Sequence, residues 1–281
     1  MSVLSMDLDT EISTESIDEI DTMWARARAP EPIDNDCAVI ILKIHHPAFT
    51  GSTRSFDTRI WGKTMTEWVT LAFDKCPVLE IETTANADIL STIRPHLTNN
   101  KYTAVFYADT PLLTRKMFLT CLDYTQTKGM NVCKFERGYI FRTDYIRTAE
   151  KLYSTTLPNF MGLQDFMVVC DMDTLSQAQS VLKKRIIDFH LRNGVQFIDA
   201  DWTSIDADVI IGQNTVIYPQ NVLQGKTIIG DNVVLQVGNT IIDSSIGNGS
   251  NIMHSVIINS KITNNSSIEP FSYINKGIVK K

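Results

Sequence analysis

The sequence lacks the features that mark membrane proteins and secreted proteins. Its 281 residues contain no apolar run near the ~18 to 20 residues that a membrane-spanning helix requires. The first residues, MSVLSMDLDTEISTE, are acidic, whereas a secretory signal begins with basic residues. The five cysteines show no CxxC or His-paired spacing, and an odd number argues against a complete disulfide framework. We therefore expect a cytoplasmic protein with free thiols and no membrane contact.

Basic residues are too scarce to form a stripe that could follow a phosphate backbone. The whole chain has a net charge of −6, and residues 1–36 hold ten acidic residues against Arg26 and Arg28. The remainder carries only a small positive surplus, so we predict that nucleic acid is not a partner. We interpret residues 1–36 as a partly disordered acidic leader with one short helix, for which a flexible tail and a partner-docking helix are the two alternatives.

From residue 207 onward, an aliphatic residue returns at every fifth or sixth position. This period is neither helical nor alternating, and it is typical of a β-solenoid in which three hexads make one coil. We predict that the solenoid covers residues 201–281, with about four coils, and that it associates through its flanks into a homotrimer. The repeating aliphatic positions are Ile211, Ile217, Leu223, Ile229, Leu235, Ile241, Ile246, Ile252, Ile257, Ile262, Ile268 and Ile274.

Before the solenoid, short apolar strands alternate with helical stretches. Such alternation predicts a parallel, doubly wound α/β sheet, whose ligands lie at the carboxyl ends of the strands. We assign this domain to residues 37–172 and a connecting helix and strand to residues 173–200. The predicted strands are residues 38–44, 78–82, 103–109, 131–135 and 138–141, and the predicted helices are residues 65–73, 114–128 and 174–192.

Together these parts resemble the bifunctional N-acetylglucosamine-1-phosphate uridyltransferase family. The resemblance covers roughly residues 38–277 and is best from Asp173 to Gly277. Residues 61–65, WGKTM, are similar to the family's Ala-Gly-Lys-x-Met segment, and residues 107–113, YADTPLL, are similar to its Gly-Asp-x-Pro-Leu segment. The resemblance implies a reduced nucleotidyltransferase-like, Rossmann-like sheet domain followed by a left-handed β-helix of hexapeptide repeats.

The resemblance also implies candidate site residues. Asp109 matches the aspartate that holds the catalytic magnesium in the family. The family's second ligand is an asparagine, where this chain has Cys170, so the neighbouring Asp171 is the candidate second ligand for Mg²⁺. The alternative for Asp109 is a strand-end residue that caps the following turn. A short polar segment could contact phosphates or be an ordinary turn, and its residues are Gly51, Ser52, Thr53 and Arg54.

Several family motifs are absent. The glycine-rich turn that approaches a triphosphate is replaced by residues 42–49, LKIHHPAF, in which Pro47 has no backbone N–H to donate. The uracil-reading segment has no counterpart, and Asn275 stands where the acetyltransferase part has a phosphate-binding arginine. We interpret His254 as a surface turn residue rather than a general base. Acetyl transfer is therefore not expected.

These departures predict a nucleotidyltransferase-like protein that has lost catalysis and acts as a nucleotide-sugar-binding, regulatory or scaffolding module, since phosphoryl transfer depends mostly on positioning and charge neutralisation. The alternative is a divergent, active sugar-1-phosphate nucleotidyltransferase, without acetyltransferase activity, in which Asp109 and Asp171 hold Mg²⁺. Expected partners are two further copies of the chain, a nucleotide sugar or another protein.

Overall fold

The computed structural model describes residues 36–49, 54–152 and 164–279. The short helix predicted in the acidic leader lies outside these residues. Among the described residues, no helix combines the length and the apolar character needed to cross a membrane. All five cysteines are free thiols.

A five-stranded mixed sheet forms the α/β part. The central strand β1 (Cys37–Ile44) pairs in parallel with the strands on either side, which are β4 (Val78–Thr83) and β5 (Tyr102–Tyr107). Strand β7 (Gly138–Arg142) runs antiparallel to β5, and β6 (Val132–Phe135) runs antiparallel to β7. The prediction of a wholly parallel sheet was wrong at this edge, because two residues between β6 and β7 allow a hairpin but no crossover.

Helices and short turns connect these strands. The remaining elements of this part are a small hairpin of β2 (Arg59–Ile60) and β3 (Lys63–Thr64), the helices α1 (Met65–Thr70), α2 (Ile89–Ile93), α3 (Arg115–Thr127) and α4 (Thr143–Thr148), and the 3₁₀ turns Ser55–Asp57, Leu71–Phe73 and Arg94–His96. Helix α1 begins at Thr64 with a capping box, in which Glu67 N donates to Thr64 Oγ1 at 3.1 Å and Thr64 N donates to Glu67 Oε2 at 2.6 Å.

Gly138 lets the β6–β7 hairpin approach β5 closely. A Cβ atom at this position would lie 2.6 Å from Phe106 Cδ1, so no other residue fits without a shift of the ring. Phe106 is fully buried, and its ring centroid lies 5.3 Å from that of Phe73 and 6.1 Å from that of Phe118. The aromatic core therefore fixes where the hairpin turn stands beside the end of β5.

Fifteen short strands in the described part of the chain build a parallel β-helix. Each of three sheets takes every third strand, so three strands make one coil and the five strands of each sheet define five levels. The strands are β8 (Gln196–Phe197), β9 (Ser204–Ile205), β10 (Ile210–Ile211), β11 (Val216–Ile217), β12 (Val222–Gln224), β13 (Ile228–Ile229), β14 (Val234–Leu235), β15 (Thr240–Ile242), β16 (Ser245–Ile246), β17 (Asn251–Ile252), β18 (Val256–Ile258), β19 (Lys261–Ile262), β20 (Ser267–Ile268), β21 (Tyr273–Asn275) and β22 (Ile278–Val279).

The repeating aliphatic side chains fill the interior of the β-helix, as the sequence predicts. Ile217 stacks on Leu235 and Leu235 on Ile252 in register through neighbouring coils, and all three are fully buried. The short polar residues two positions earlier are also buried, with their polar atoms paired. Asn239 Nδ2, for example, donates to Asn221 Oδ1 at 2.9 Å in the coil below.

Residues with left-handed backbone turn the chain at the corners of the β-helix. One corner is formed by Asn214, Asn232 and Asn265, with φ between 55° and 57°, and by Gly249 at 68°. Asparagine and glycine tolerate this conformation best. The regular corners explain why each hexad can end after so short a strand. The mixed sheet with its helices and the fifteen stacked strands confirm the predicted combination of a Rossmann-like sheet domain and a β-helix.

The long helix α5 (Met172–Arg192) connects the two parts. Its apolar face buries Leu175, Leu182 and Ile186 in the same core cluster as the aliphatic residues of the β-helix and Trp68 of α1. The β-helix begins earlier than the predicted boundary near residue 200, because β8 already pairs with β11. With β8 the fifteen strands make five coils, where the sequence predicts about four.

Adjacent isoleucines in β15 test the direction of the side chains. Ile241 is fully buried and Ile242 is partly exposed. We expect Ile241→Ala to lower the free energy of unfolding by about 2 to 4 kcal/mol, because it leaves a cavity in the interior. The matched control Ile242→Ala removes the same atoms and should cost less than about 1.5 kcal/mol. Urea unfolding measures both, and equal losses would contradict the assigned register.

Candidate functional site

Asp109 lies at the carboxyl ends of the parallel strands, where ligands bind in open α/β sheets. It follows β5 by two residues, and its side chain is only 2% exposed. The backbone is fixed on both sides, because Ala108 N donates to Leu42 O at 3.0 Å and Val169 N donates to Asp109 O at 2.8 Å. The second contact brings residues 169–171, and hence Asp171, next to the segment that carries Asp109.

Two cationic or protonatable side chains contact the Asp109 carboxylate. Arg137 donates from Nε to Oδ1 at 3.2 Å and from Nη2 to Oδ2 at 2.5 Å, which is the two-pronged geometry that favours arginine at carboxylates. His46 Nε2 lies 2.9 Å from Oδ2. The Arg137 guanidinium also lies over the ring of Tyr107, 4.0 Å from its centroid. We call Asp109, Arg137 and His46 the charge cluster.

Both partners are held by the fold. Arg137 lies in the β6–β7 turn, beside Gly138, which pairs with Phe106 near the end of β5. His46 follows β1, and its backbone N donates to Ser55 Oγ at 3.0 Å. Ser55 N in turn donates to His45 Nδ1 at 3.2 Å. The two adjacent histidines therefore have separate roles. His45 accepts a hydrogen bond from the backbone of Ser55, and His46 contacts the Asp109 carboxylate.

The charge cluster keeps Asp109 ionised. Burial by itself raises the pKa of this carboxyl, but the hydrogen bonds and charges of His46 and Arg137 outweigh burial and hold the pKa below its usual value. For Arg137, burial lowers the pKa, while the Asp109 carboxylate more than compensates and raises it. The pair is thus an ion pair at neutral pH, with a buried anion and a half-buried cation.

Asp171 has a structural partner of its own. It is the N-cap of α5, where its Oδ1 accepts a hydrogen bond from Thr174 N at 2.8 Å and one from Thr174 Oγ1 at 2.7 Å. These bonds lower the pKa of the Asp171 carboxyl. The structure therefore places the second candidate metal ligand at the start of the connecting helix, in a capping box.

This donor set does not fit Mg²⁺. The cation needs hard oxygen ligands that are free to approach it, and in this chain both oxygens of Asp109 accept hydrogen bonds from positively charged or protonatable nitrogens. Arg137 would also repel a divalent cation at this carboxylate. Over residues 36–49, 54–152 and 164–279, no group of three or more His, Cys, Asp or Glu side chains could hold a metal ion.

The candidate phosphate-binding segment is only partly described. Gly51, Ser52 and Thr53 lie outside the described residues. Arg54 forms an ion pair with Glu82, and more than half of each side chain is exposed. The preceding loop is closed on itself, since Phe49 is 5% exposed, packs in the core and donates its backbone N–H to His46 O at 3.1 Å.

Sequence reasoning identified Asp109 but missed Arg137. The sequence does show an arginine in the two-residue turn between two predicted strands. Its contact with Asp109 could be predicted only from the pairing of β7 with β5. His254 is exposed at a corner of the β-helix with φ of 40°, and its ring contacts Phe271. The structure thus places His254 at a surface turn.

We expect Asp109→Asn to destabilise the protein by about 3 kcal/mol at pH 7, because it leaves Arg137 partly buried without its counter-charge. The folded state lowers the pKa of Asp109, so this contribution is present above the unfolded pKa of ~3.9 and is lost as the pH falls through the lower folded value. The difference between the variant and the wild type should therefore shrink below about pH 4.

Urea unfolding from pH 7 to pH 3 measures this effect. Glu82→Gln is the matched control, since it removes a carboxylate from the exposed pair with Arg54 and should change stability by less than about 1 kcal/mol. Equal effects of the two substitutions at pH 7 would contradict the structural role of the charge cluster.

The chain is similar to curated proteins named bifunctional protein GlmU. It is 49% identical over 100 residues to the protein from Caldanaerobacter subterraneus subsp. tengcongensis, which covers 36% of this chain and 22% of that protein. It is 43% identical over 142 residues to the protein from a Geobacillus species, which covers 49% of this chain and 30% of that protein. The protein from Clostridioides difficile is 40% identical over 112 residues, which covers 40% of this chain and 24% of that protein.

The matches thus span less than a third of the length of these relatives. No family model matches the chain. At this level of identity the matched residues are homologous to GlmU, and the resemblance inferred from the motifs is confirmed.

Proposed function

We propose that this GlmU-like chain is a nucleotidyltransferase-like protein without nucleotidyl transfer, which acts as a nucleotide-sugar-binding, regulatory or scaffolding module. The observation that carries the proposal is the occupation of both Asp109 oxygens by Arg137 and His46. In the family that the motifs resemble, this aspartate holds magnesium, which neutralises the charge on the transferred phosphoryl group. The ion pair between Asp109 and Arg137 stabilises the end of β5, but it leaves the carboxylate unable to bind magnesium in the same way.

Two further observations support this proposal. The loop at residues 45–49, which replaces the glycine-rich turn, uses backbone N–H groups of His46 and Phe49 for contacts within the protein. These donors are therefore not directed at a phosphate. Asp171, the second candidate ligand, caps α5. Positioning and charge neutralisation are thus both weakened, and they account for most of phosphoryl-transfer catalysis.

The alternative is a divergent enzyme that joins a sugar 1-phosphate to a nucleoside triphosphate. The proximity of the Asp109 and Val169 backbones favours it, because a small shift of residues 169–171 would bring Asp171 toward Asp109. Asp109 and Asp171 would then hold Mg²⁺, and residues 51–54 would contact phosphates. Loss of turnover in Asp109→Ala would be expected for this alternative.

An assay of pyrophosphate release tests the choice between them. With UTP, N-acetylglucosamine 1-phosphate and Mg²⁺, we expect the wild-type rate to equal that of Asp109→Asn, because the carboxylate does not serve the reaction. Glu82→Gln provides a control for the charge change. A wild-type rate at least ~100-fold above that of Asp109→Asn, with Glu82→Gln retaining the wild-type rate, would overturn the proposal.

Assembly into a homotrimer through the β-helix, in the cytoplasm, completes the proposal. Exposed apolar side chains concentrate at one corner of the β-helix, where each lies between a strand of the β8 sheet and the next strand of the β9 sheet. A row of this kind on a narrow solenoid favours a protein interface. Its members are Ile198, Trp202, Val237, Met253 and Phe271.

Light scattering after size-exclusion chromatography measures the assembly. We expect a particle of three times the 31.7 kDa mass of one chain. Trp202→Lys should shift the particle toward smaller species, because it places a charge in the apolar row. Trp61→Lys is the control, because Trp61 lies outside this row and its substitution should not change the assembly of the folded protein. A wild-type particle with the mass of one chain would contradict the assembly.

A further inference from the structure

A second polar site lies at the end of β5 opposite to Asp109. It is a cleft of about 310 Å³ beside Lys101, the residue directly before β5, and Arg142, the last residue of β7. The antiparallel register pairs Tyr102 with Arg142, and Thr143 N donates to Lys101 O at 3.0 Å. The cleft and Asp109 are thus separated by the length of β5, roughly 20 Å.

The cleft has a surplus of basic side chains. Lys101, Arg142 and Arg147 line it, against the single carboxylate of Asp144. The other lining side chains are neutral and polar. A local surplus of cations in a concave site attracts anions.

Contacts within the protein position the cationic groups. Arg147 Nη2 donates to Thr98 O at 2.5 Å, which ties α4 to the segment before β5. Arg94 Nε donates to Ile146 O at 3.2 Å, a second contact that holds the same helix. Because Ile146 is fully buried, α4 is anchored in the core. The cleft is thus built on fixed backbone, which reduces the entropy lost when a ligand binds.

The polar groups of the cleft favour an anion with several oxygens. Arg142 Nη2 contacts Asp144 Oδ2 at 2.6 Å, but this pair is exposed and contributes little to stability, so the guanidinium can exchange to a more highly charged partner. Asn100 Oδ1 already accepts from Thr98 Oγ1 at 2.8 Å, and the remaining polar group of the Asn100 side chain is a donor.

We propose that this cleft binds a small molecule that carries one or two phosphate groups. Arg142 and Arg147 would each offer a planar pair of donors to phosphate oxygens, and Lys101 would act as a point charge. The volume of about 310 Å³ accommodates a diphosphate or a small phosphate ester, and three cations are too few to follow a long polyanion. The cleft shares no residue with the charge cluster at Asp109. An experiment that refutes phosphate binding in the cleft therefore does not refute the proposed function, and the reverse also holds.

Isothermal titration of the full-length chain with inorganic phosphate and with inorganic pyrophosphate, at constant ionic strength, tests the site. We expect saturable binding of pyrophosphate, and weaker binding of phosphate, because the diphosphate reaches more donors. The Arg142→Gln, Arg147→Gln double variant should bind pyrophosphate roughly 100-fold more weakly, about tenfold for each charged hydrogen-bonding group removed. Asp144→Asn should bind severalfold more tightly, since it removes the competing carboxylate.

Arg192→Gln is the control for loss of a positive charge outside the cleft, because Arg192 is exposed at the end of α5 and does not line the cleft. It should bind pyrophosphate as the wild type does. Wild-type protein without saturable binding of either probe would overturn the proposal, as would equal losses in Arg192→Gln and the double variant. Binding of a phosphoserine peptide without binding of pyrophosphate would also overturn it, since the cleft would then serve a protein partner.

Discussion

Asp109 is 2% exposed at the end of β5, and a carboxylate removed from water to this extent stays ionised only beside positive charge. Arg137 provides that charge from the β6–β7 turn, and His46 adds a hydrogen bond to the carboxylate from the end of β1. The same interaction therefore fastens three strand ends to one another. A carboxylate compensated by an arginine is also a poor ligand for a divalent cation.

The connecting helix α5 links the Asp109 segment to the β-helix through a series of contacts. Val169 is bonded to the Asp109 backbone, and two residues later Asp171 caps α5, whose apolar face packs on the coils. A residue that the motifs place near a metal thus begins the helix that joins the two parts of the chain. Both candidate ligands thus make contacts that stabilise the fold, Asp109 in its ion pair with Arg137 and Asp171 at the start of α5.

The β-helix was predictable because its signal is local. Each hexad repeats an inward aliphatic residue, so Ile241 or Ile252 could be assigned to the interior without knowing any long-range contact. Strand positions in the sheet domain were also correct, but the antiparallel pairing of β7 with β5 was not, because pairing depends on contacts between distant residues.

The same limit applies to the site. Asp109 could be found from its motif, whereas Arg137 becomes its partner only through the β5–β7 register. The capping role of Asp171 was predictable from the sequence, because an aspartate at the start of an apolar helix, three residues before Thr174, is a common N-terminal signal.

Calorimetric titration with Mg²⁺ tests the central claim most directly, namely that Arg137 and His46, and no metal ion, bind the Asp109 carboxylate. The account predicts no saturable heat from the wild-type chain up to ~10 mM Mg²⁺, and the same result for Asp109→Asn. Saturable binding by the wild type that disappears in Asp109→Asn and persists in Glu82→Gln would contradict it, because the carboxylate would then prefer the metal to its protein partners.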